Sequence, residues 1–136
     1  MKSFMSLYSS YCYALMRIVT GFLFLWHGSQ KLFAFPIGMP GNVPAFITYV
    51  AGPIELIGGF LVMIGLFTHW AAFITSGEMA VAYWMVHGTT ALLPIQNKGE
   101  LAVLYCFAFL FIASQGGGIW SIDSLMHGAR RKASSR

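Results

Sequence analysis

The chain has 136 residues, of which 57% are hydrophobic and 9% charged, and its mean hydropathy is +0.70. One domain fits that length, and a charged fraction far below the ~25% of soluble domains excludes a water-soluble globule. The formal charge of +4 is not laid out as a basic stripe, which excludes a nucleic-acid partner. What remains is an all-α integral membrane protein whose partner is membrane lipid.

Taken in order, the sequence predicts four membrane-spanning helices forming a bundle. The first covers about 11–33 and ends near Pro36; no small-residue cleavage site follows it, so it reads as a retained helix. The stretch 34–44 is rich in proline and glycine and is a loop. The second span, 45–67, is interrupted at Gly52-Pro53 by a kink or a short re-entrant piece. The third covers 70–86, and 87–99 is a loop. The fourth covers 100–115 and is ended by Gly116-Gly117-Gly118. A short interfacial turn from Trp120 leads to a basic tail, 124–136. Lys2 and the tail cations Arg130, Arg131, Lys132 and Arg136 fall on one face, Lys31 and Lys98 on the other. That asymmetry puts both termini in the cytoplasm of a bacterial inner membrane. Cys12 and Cys106 belong to different depths, so no disulfide is expected, and Cys106 reads as a small buried hydrophobe.

The first span carries Arg17, His27 and Lys31, and a cation at membrane depth costs at least ~2.5–3.5 kcal/mol. At about 100° per residue, Arg17, Gly21, Phe24, Gly28 and Lys31 lie within about 40° of Arg17 on one stripe, with His27 at its border. The glycines on that stripe permit close approach of a second helix. Counting depth within each span puts Arg17, Glu55 and Glu78 in an inner polar layer. His27, Lys31, His87, Asn97, Lys98 and Glu100 form an outer one. The inner set has two readings: an ion-pair network that fixes helix register, or a proton-active, ligand-binding centre. His27 and His87 read as hydrogen-bonded interfacial histidines. Neither has an i,i+3 or i,i+4 ligand partner, so no metal site is expected. Tyr83, Trp84 and Tyr105 either line a pocket for a planar ligand or anchor the interface.

Several stretches resemble the signatures of the DoxX family of small four-helix membrane proteins. These are Arg17-Ile-Val-Thr-Gly-Phe-Leu-Phe-Leu-Trp-His-Gly-Ser-Gln-Lys-Leu-Phe33, Gly52-Pro-Ile-Glu-Leu-Ile-Gly-Gly59 with Gly65-Leu-Phe-Thr68, and Gly77-Glu-Met-Ala-Val-Ala-Tyr83 with His87. Asn97-Lys-Gly-Glu-Leu-Ala-Val-Leu-Tyr-Cys-Phe107 and Gly116-Gly-Gly-Ile-Trp-Ser-Ile-Asp123 complete the match over about residues 15–124. Lys98 departs from the small residue expected there. The resemblance implies a membrane oxidoreductase assembly, a link to quinones, catechols and oxidative stress, and a soluble redox partner protein; it transfers no catalytic residue.

The combined reading is an inner-membrane oxidoreductase component acting on quinone or a small reducible molecule. Arg17, Glu55 and Glu78 are the catalytic candidates, with Arg17 holding an oxygen and the acids exchanging protons. His27, Lys31, Tyr83, His87, Glu100 and Tyr105 are the ligand-binding candidates. Quinone is the one cofactor the chemistry suggests. The sequence has no dinucleotide fingerprint, cysteine cluster or axial haem pair. Alternatives are a small-molecule carrier, which at this length calls for a homo-oligomer, and a non-catalytic membrane anchor for a soluble enzyme.

Overall fold

The computed structural model describes residues 4–41 and 43–134. Lys2 and Arg136, two of the cations that set the expected orientation, lie outside the described residues, as do the side chains of Arg130, Arg131 and Lys132. The described chain is all-helical. A 3₁₀ turn, Phe4–Tyr8, leads into α1, Ser9–Phe33. α1 stops at Ala34, whose left-handed backbone turns its N–H back to Gln30 O, and Pro36 follows.

The second helical run opens as a π turn, Ile47–Ala51, and continues as α2, Gly52–Ile64. The break expected at Gly52-Pro53 is absent. Pro53 stands in the first α turn, where a missing N–H leaves nothing unpaired, so the chain only changes its hydrogen-bond pattern there. The run Ile47–Ile64 is the one helix among the described residues that is long and apolar enough to cross a membrane. Gly65, at φ 69°, ends α2. α3, Thr68–Ala82, follows at once and closes in a second π turn, Tyr83–His87. The loop 87–99 contains one short helix, α4, Pro94–Asn97. α5, Glu100–Gln115, ends at Gly116 with φ 78°. Where the sequence reading has a turn and a basic tail, the chain forms α6, Ile122–Ser134. Ile122, Leu125 and Met126 share one face of that helix and are exposed, the i, i+3, i+4 spacing of an amphipathic surface helix.

α1 and α2 pack backbone against backbone. A Cβ built on Gly21 would stand 2.5 Å from Met63 N and 2.6 Å from Gly59 O, and one on Gly28 would stand 2.6 Å from Gly52 O. One on Gly59 would stand 2.7 Å from Leu25 N. Gly21 with Gly28, and Gly52 with Gly59, are each two helical turns apart, so both contacts recur on the same faces. On the other side of the bundle α3 packs on α5, where Ser76 Oγ donates to Cys106 O at 2.8 Å. Phe24 joins the two halves, its ring centroid 4.6 Å from Phe109 and 5.0 Å from Tyr105. The outward faces carry exposed Ile57, Phe60, Phe73, Leu104 and Phe107. An apolar girdle of that extent suits hydrocarbon, not water.

Gly28→Ala is therefore expected to push α1 off α2 and lower stability by about 1–3 kcal/mol. Gly77→Ala, whose new Cβ meets nothing within 4 Å, leaves stability unchanged or raises it. Thermal melts of the two purified variants in one detergent check the contrast.

Candidate functional site

The polar residues form two clusters at opposite ends of the bundle. The first surrounds Arg17, which is 0% exposed. Its Nη1 donates to the carbonyls of Val62 and Met63, both at 2.7 Å, and its Nη2 donates to Trp120 O at 2.7 Å and Ile119 O at 3.4 Å. Val62 and Met63 lie in the last turn of α2, where carbonyls lack i+4 donors; Val62 O has besides only a 3.2 Å bond from Gly65 N. The guanidinium is thus a cap on α2, with the favourable sign for a helix C-terminus. Asp123 completes the cluster from the far end of the chain. Its carboxylate accepts from Phe67 N at 3.0 Å, Thr68 N at 2.9 Å and Thr68 Oγ1 at 2.7 Å, capping the start of α3. Its own N–H donates to Gly65 O at 2.9 Å. A side chain at Gly65 would strike Ser121, so glycine is required there on steric as well as backbone grounds.

Burial alone would push the Asp123 carboxyl up. The hydrogen bonds from Thr68 and Phe67, with His127 nearby, outweigh it and hold the group below the usual carboxylate range. A lowered folded value means the ionised form is the one bound. Its contribution is present above the ordinary aspartate value near pH ~4 and is lost as pH falls through the folded value. Asp123→Ala should cost about 0.5–2 kcal/mol at neutral pH, as loss of a helix cap does. Melting both proteins from pH 7 down to pH 3 should show the gap between them closing at the acid end.

The second cluster lines a cavity of about 680 Å³ bounded by α1, the start of the second helical run, the end of α3 and the start of α5. Lys31 Nζ donates to both oxygens of Glu55, at 2.8 and 2.5 Å, with the two side chains 12% and 3% exposed. Glu78 borders the same cavity from α3, within electrostatic reach of Glu55 and Lys31. Its Oε2 is buried and accepts no hydrogen bond. His27 and Tyr105 line the wall with their rings edge to face, centroids 5.8 Å apart. His87 lines it too, and its Nδ1 stands 2.8 Å from Asn97 O. A carbonyl only accepts, so Nδ1 carries the proton of that hydrogen bond. Most of the remaining wall is aliphatic.

The sequence-derived candidates separate accordingly. His27, Lys31, Glu55, Glu78, His87 and Tyr105 come together around one cavity. Arg17 does not join the acids; the buried Arg17–Glu55–Glu78 layer is replaced by Lys31–Glu55–Glu78, and Arg17 serves the α2 terminus. The close glycine contacts fix an antiparallel register in which Lys31, not Arg17, meets Glu55, and the Arg17 side chain reaches back toward its own end of the bundle. Tyr83 does not line the cavity; its hydroxyl accepts from Asn97 Nδ2 at 3.1 Å. Glu100 is exposed at the first turn of α5, where its charge suits the helix dipole. Asn97 and Asp123 were not among the candidates. Asn97 is 6% exposed and ties the loop together, its amide donating also to Ala91 O and its Oδ1 accepting from Gly99 N at 2.8 Å.

Comparison with known proteins accords with these features. The family model described as DoxX matches residues 13–88. An uncharacterized protein of Haemophilus influenzae is 42% identical over 123 residues, covering 86% of this chain and 92% of its own length. A second from the same organism is 30% identical over 108 residues, 74% of this chain and 70% of its own. A Bacillus subtilis protein named "Putative oxidoreductase CatD" is 42% identical over 62 residues, 40% of this chain and 43% of its own length. No solved structure matches the chain significantly. With more than half its length matched by the family model and a near full-length relative alongside, the chain belongs to the DoxX family, a family of membrane proteins.

Proposed function

We propose that the protein spans the bacterial inner membrane four times with both termini in the cytoplasm. In this reading it serves a membrane oxidoreductase system by binding a quinone or similar small reducible molecule in the cavity beside Lys31. The observation that carries this reading is the cavity itself. Its volume is within the ~300–1,000 Å³ of ligand sites, its walls are mainly apolar, and its polar lining includes the Lys31–Glu55 pair with Glu78 in reach, besides His27, His87, Lys98 and Tyr105. A flat ring with carbonyl oxygens fits that distribution: apolar faces against the aliphatic walls, oxygens toward donors. Lys31 has a third N–H beyond the two used on Glu55, and the His27 ring supplies one more. Glu78 Oε2, buried and unpaired, is the atom placed to give or take a proton as the ligand gains or loses electrons. The relative named as an oxidoreductase points the same way.

The electrons come from a second, soluble protein. The residues of this chain hold the ring, exclude water and move protons. Orientation follows from the charge pattern: the Arg17 end, with the basic α6, faces the cytoplasm, and the cavity end faces outward. Decylubiquinone is expected to be retained by the purified protein with one site per chain and to be lost when Lys31 and Glu55 are both replaced by apolar residues. A reporter fused after Arg136 should be active in the cytoplasm. No retention by the wild-type protein sinks the ligand reading, and a periplasmic reporter sinks the orientation.

A further inference from the structure

We propose that the cavity opens sideways into the hydrocarbon between α2 and α3, so that its ligand arrives from within the bilayer with an alkyl or isoprenoid tail left in the gap. This rests on the membrane-embedded, ligand-binding reading above and adds to it the route and the lipophilic class of ligand.

α2 and α3 touch about two helical turns from the bend that joins them. A Cβ on Gly58 would strike the Thr75 side chain. Farther along α3 the cavity itself separates the two helices and leaves a gap, being lined from both. Gly77, which points about 160° away from Thr75 around α3, faces open space. Both edges of the gap are apolar and belong to the cavity wall. Val50, Ala51 and Ile54 form one edge; Ile74, Gly77 and Val81 form the other, at the i, i+3, i+7 positions of a single helix stripe. Val50, Ile74 and Val81 are 56%, 53% and 56% exposed, so side chains that line the cavity also face outward. A cavity whose wall and outer surface share residues is open at that place.

Gly77 supplies an independent point. A glycine within a helix costs about 0.5–1 kcal/mol relative to alanine, and it is usually kept for a close backbone approach. Gly21, Gly28 and Gly59 each have that reason, and Gly77 has none. What Gly77 leaves is open space on the stripe next to Glu78. The gap leads from an apolar rim to a polar end, Lys31–Glu55 and Glu78, which is the layout an amphiphile with a polar head and an apolar tail requires.

Site-directed spin labelling decides it. Gly77→Cys and Val81→Cys, each labelled in a Cys12→Ser/Cys106→Ala background and reconstituted in bilayers, report collisions with O₂, which concentrates in hydrocarbon, and with nickel ethylenediaminediacetate, which stays in water. Leu104→Cys on the outer face of α5 is the lipid-facing reference. The expected result is an O₂-dominated signal at Gly77 and Val81, as at Leu104. Added decylubiquinone should remove roughly half of those O₂ collisions at Gly77 and Val81 and none at Leu104, since a bound ligand shields the walls of its site. Nickel-dominated signals at both positions overturn the lateral opening. So does retention of decylubiquinone by the same preparation with no change at either label. If decylubiquinone is not retained at all, the quinone reading falls and the opening is judged on the collision ratio alone.

Discussion

Arg17→Ala should leave the protein unable to accumulate in membranes at wild-type level, with a melting transition lowered or lost in detergent. The substitution strips the charged donor from three carbonyls at 2.7 Å: Val62 O, which keeps only a 3.2 Å bond from Gly65 N, and Met63 O and Trp120 O. Each buried carbonyl left without a partner costs about 1–3 kcal/mol, and the total is a large part of the ~5–15 kcal/mol by which a typical domain is stable. Arg17→Lys should recover only part of the loss. An ammonium is compact and cannot span α2 and Trp120 together as the planar fork does. Membrane abundance and melting temperature for the three proteins, measured side by side, check the order wild type, lysine, alanine. An alanine variant as stable as wild type would remove the capping role and return Arg17 to the list of candidates for chemistry.

At the other end, stability and activity should separate. Glu55→Leu leaves the Lys31 ammonium buried without its counter-charge and is expected to cost about 3–5 kcal/mol. The double change Lys31→Met/Glu55→Leu should recover most of it, because a well-packed apolar pair can replace a buried ion pair. Recovered folding should not bring back ligand binding. Glu78→Gln is the complementary case. Its Oε2 makes no hydrogen bond, so the amide is tolerated, while a lost proton-exchanging group typically costs 10²- to 10⁴-fold in rate. Turnover of decylubiquinone with the partner reductant, set against melting temperature for all four proteins, tests both halves. Full activity in folded Glu78→Gln would exclude that carboxyl from the chemistry.

The helices were legible because their ends are written in residue type. Pro36 and the glycines from Gly116 each stop a helix for a local reason, and local reasons survive folding. Gly65 also ends α2, yet the sequence reading passes over it and runs the second span from 45 to 67. The cavity side chains were legible as a group for a similar reason: polar residues in apolar helices must face inward, and few are available to do so. Their pairing was not legible from depth. Arg17 and Glu55 each fall near the middle of an apolar run when residues are counted. Counting ignores that a long side chain reaches one or two turns along the helix. It also ignores the register between helices. That register was present in the sequence as Gly21 and Gly28 on one helix and Gly52 and Gly59 on the other, with equal spacing. Aligned antiparallel, those pairs bring Lys31 to Glu55 and Arg17 to the end of α2. Pro53 misled for a different reason, since a proline that breaks a helix interior is harmless in its first turn. Asp123 could not have been found, because its partners at Phe67 and Thr68 lie more than fifty residues away. Asn97 falls in the outer polar layer by position, but its bonds within the loop were not legible.

The Arg17 cap has a consequence for biogenesis. One half of the guanidinium is matched by Val62 and Met63, which leave the ribosome some forty-five residues after it, and the other half by Ile119 and Trp120, more than a hundred residues after it. During synthesis the cation therefore passes through a half-matched state that ends only when residues 119 and 120 arrive. Asp123 binds the α2–α3 turn from that same late segment. A nascent chain halted before residue 119 carries a partly unmatched charge in an apolar helix and an uncapped turn. Emergence of residues 119–123 is thus registered as an electrostatic event at one end of the bundle.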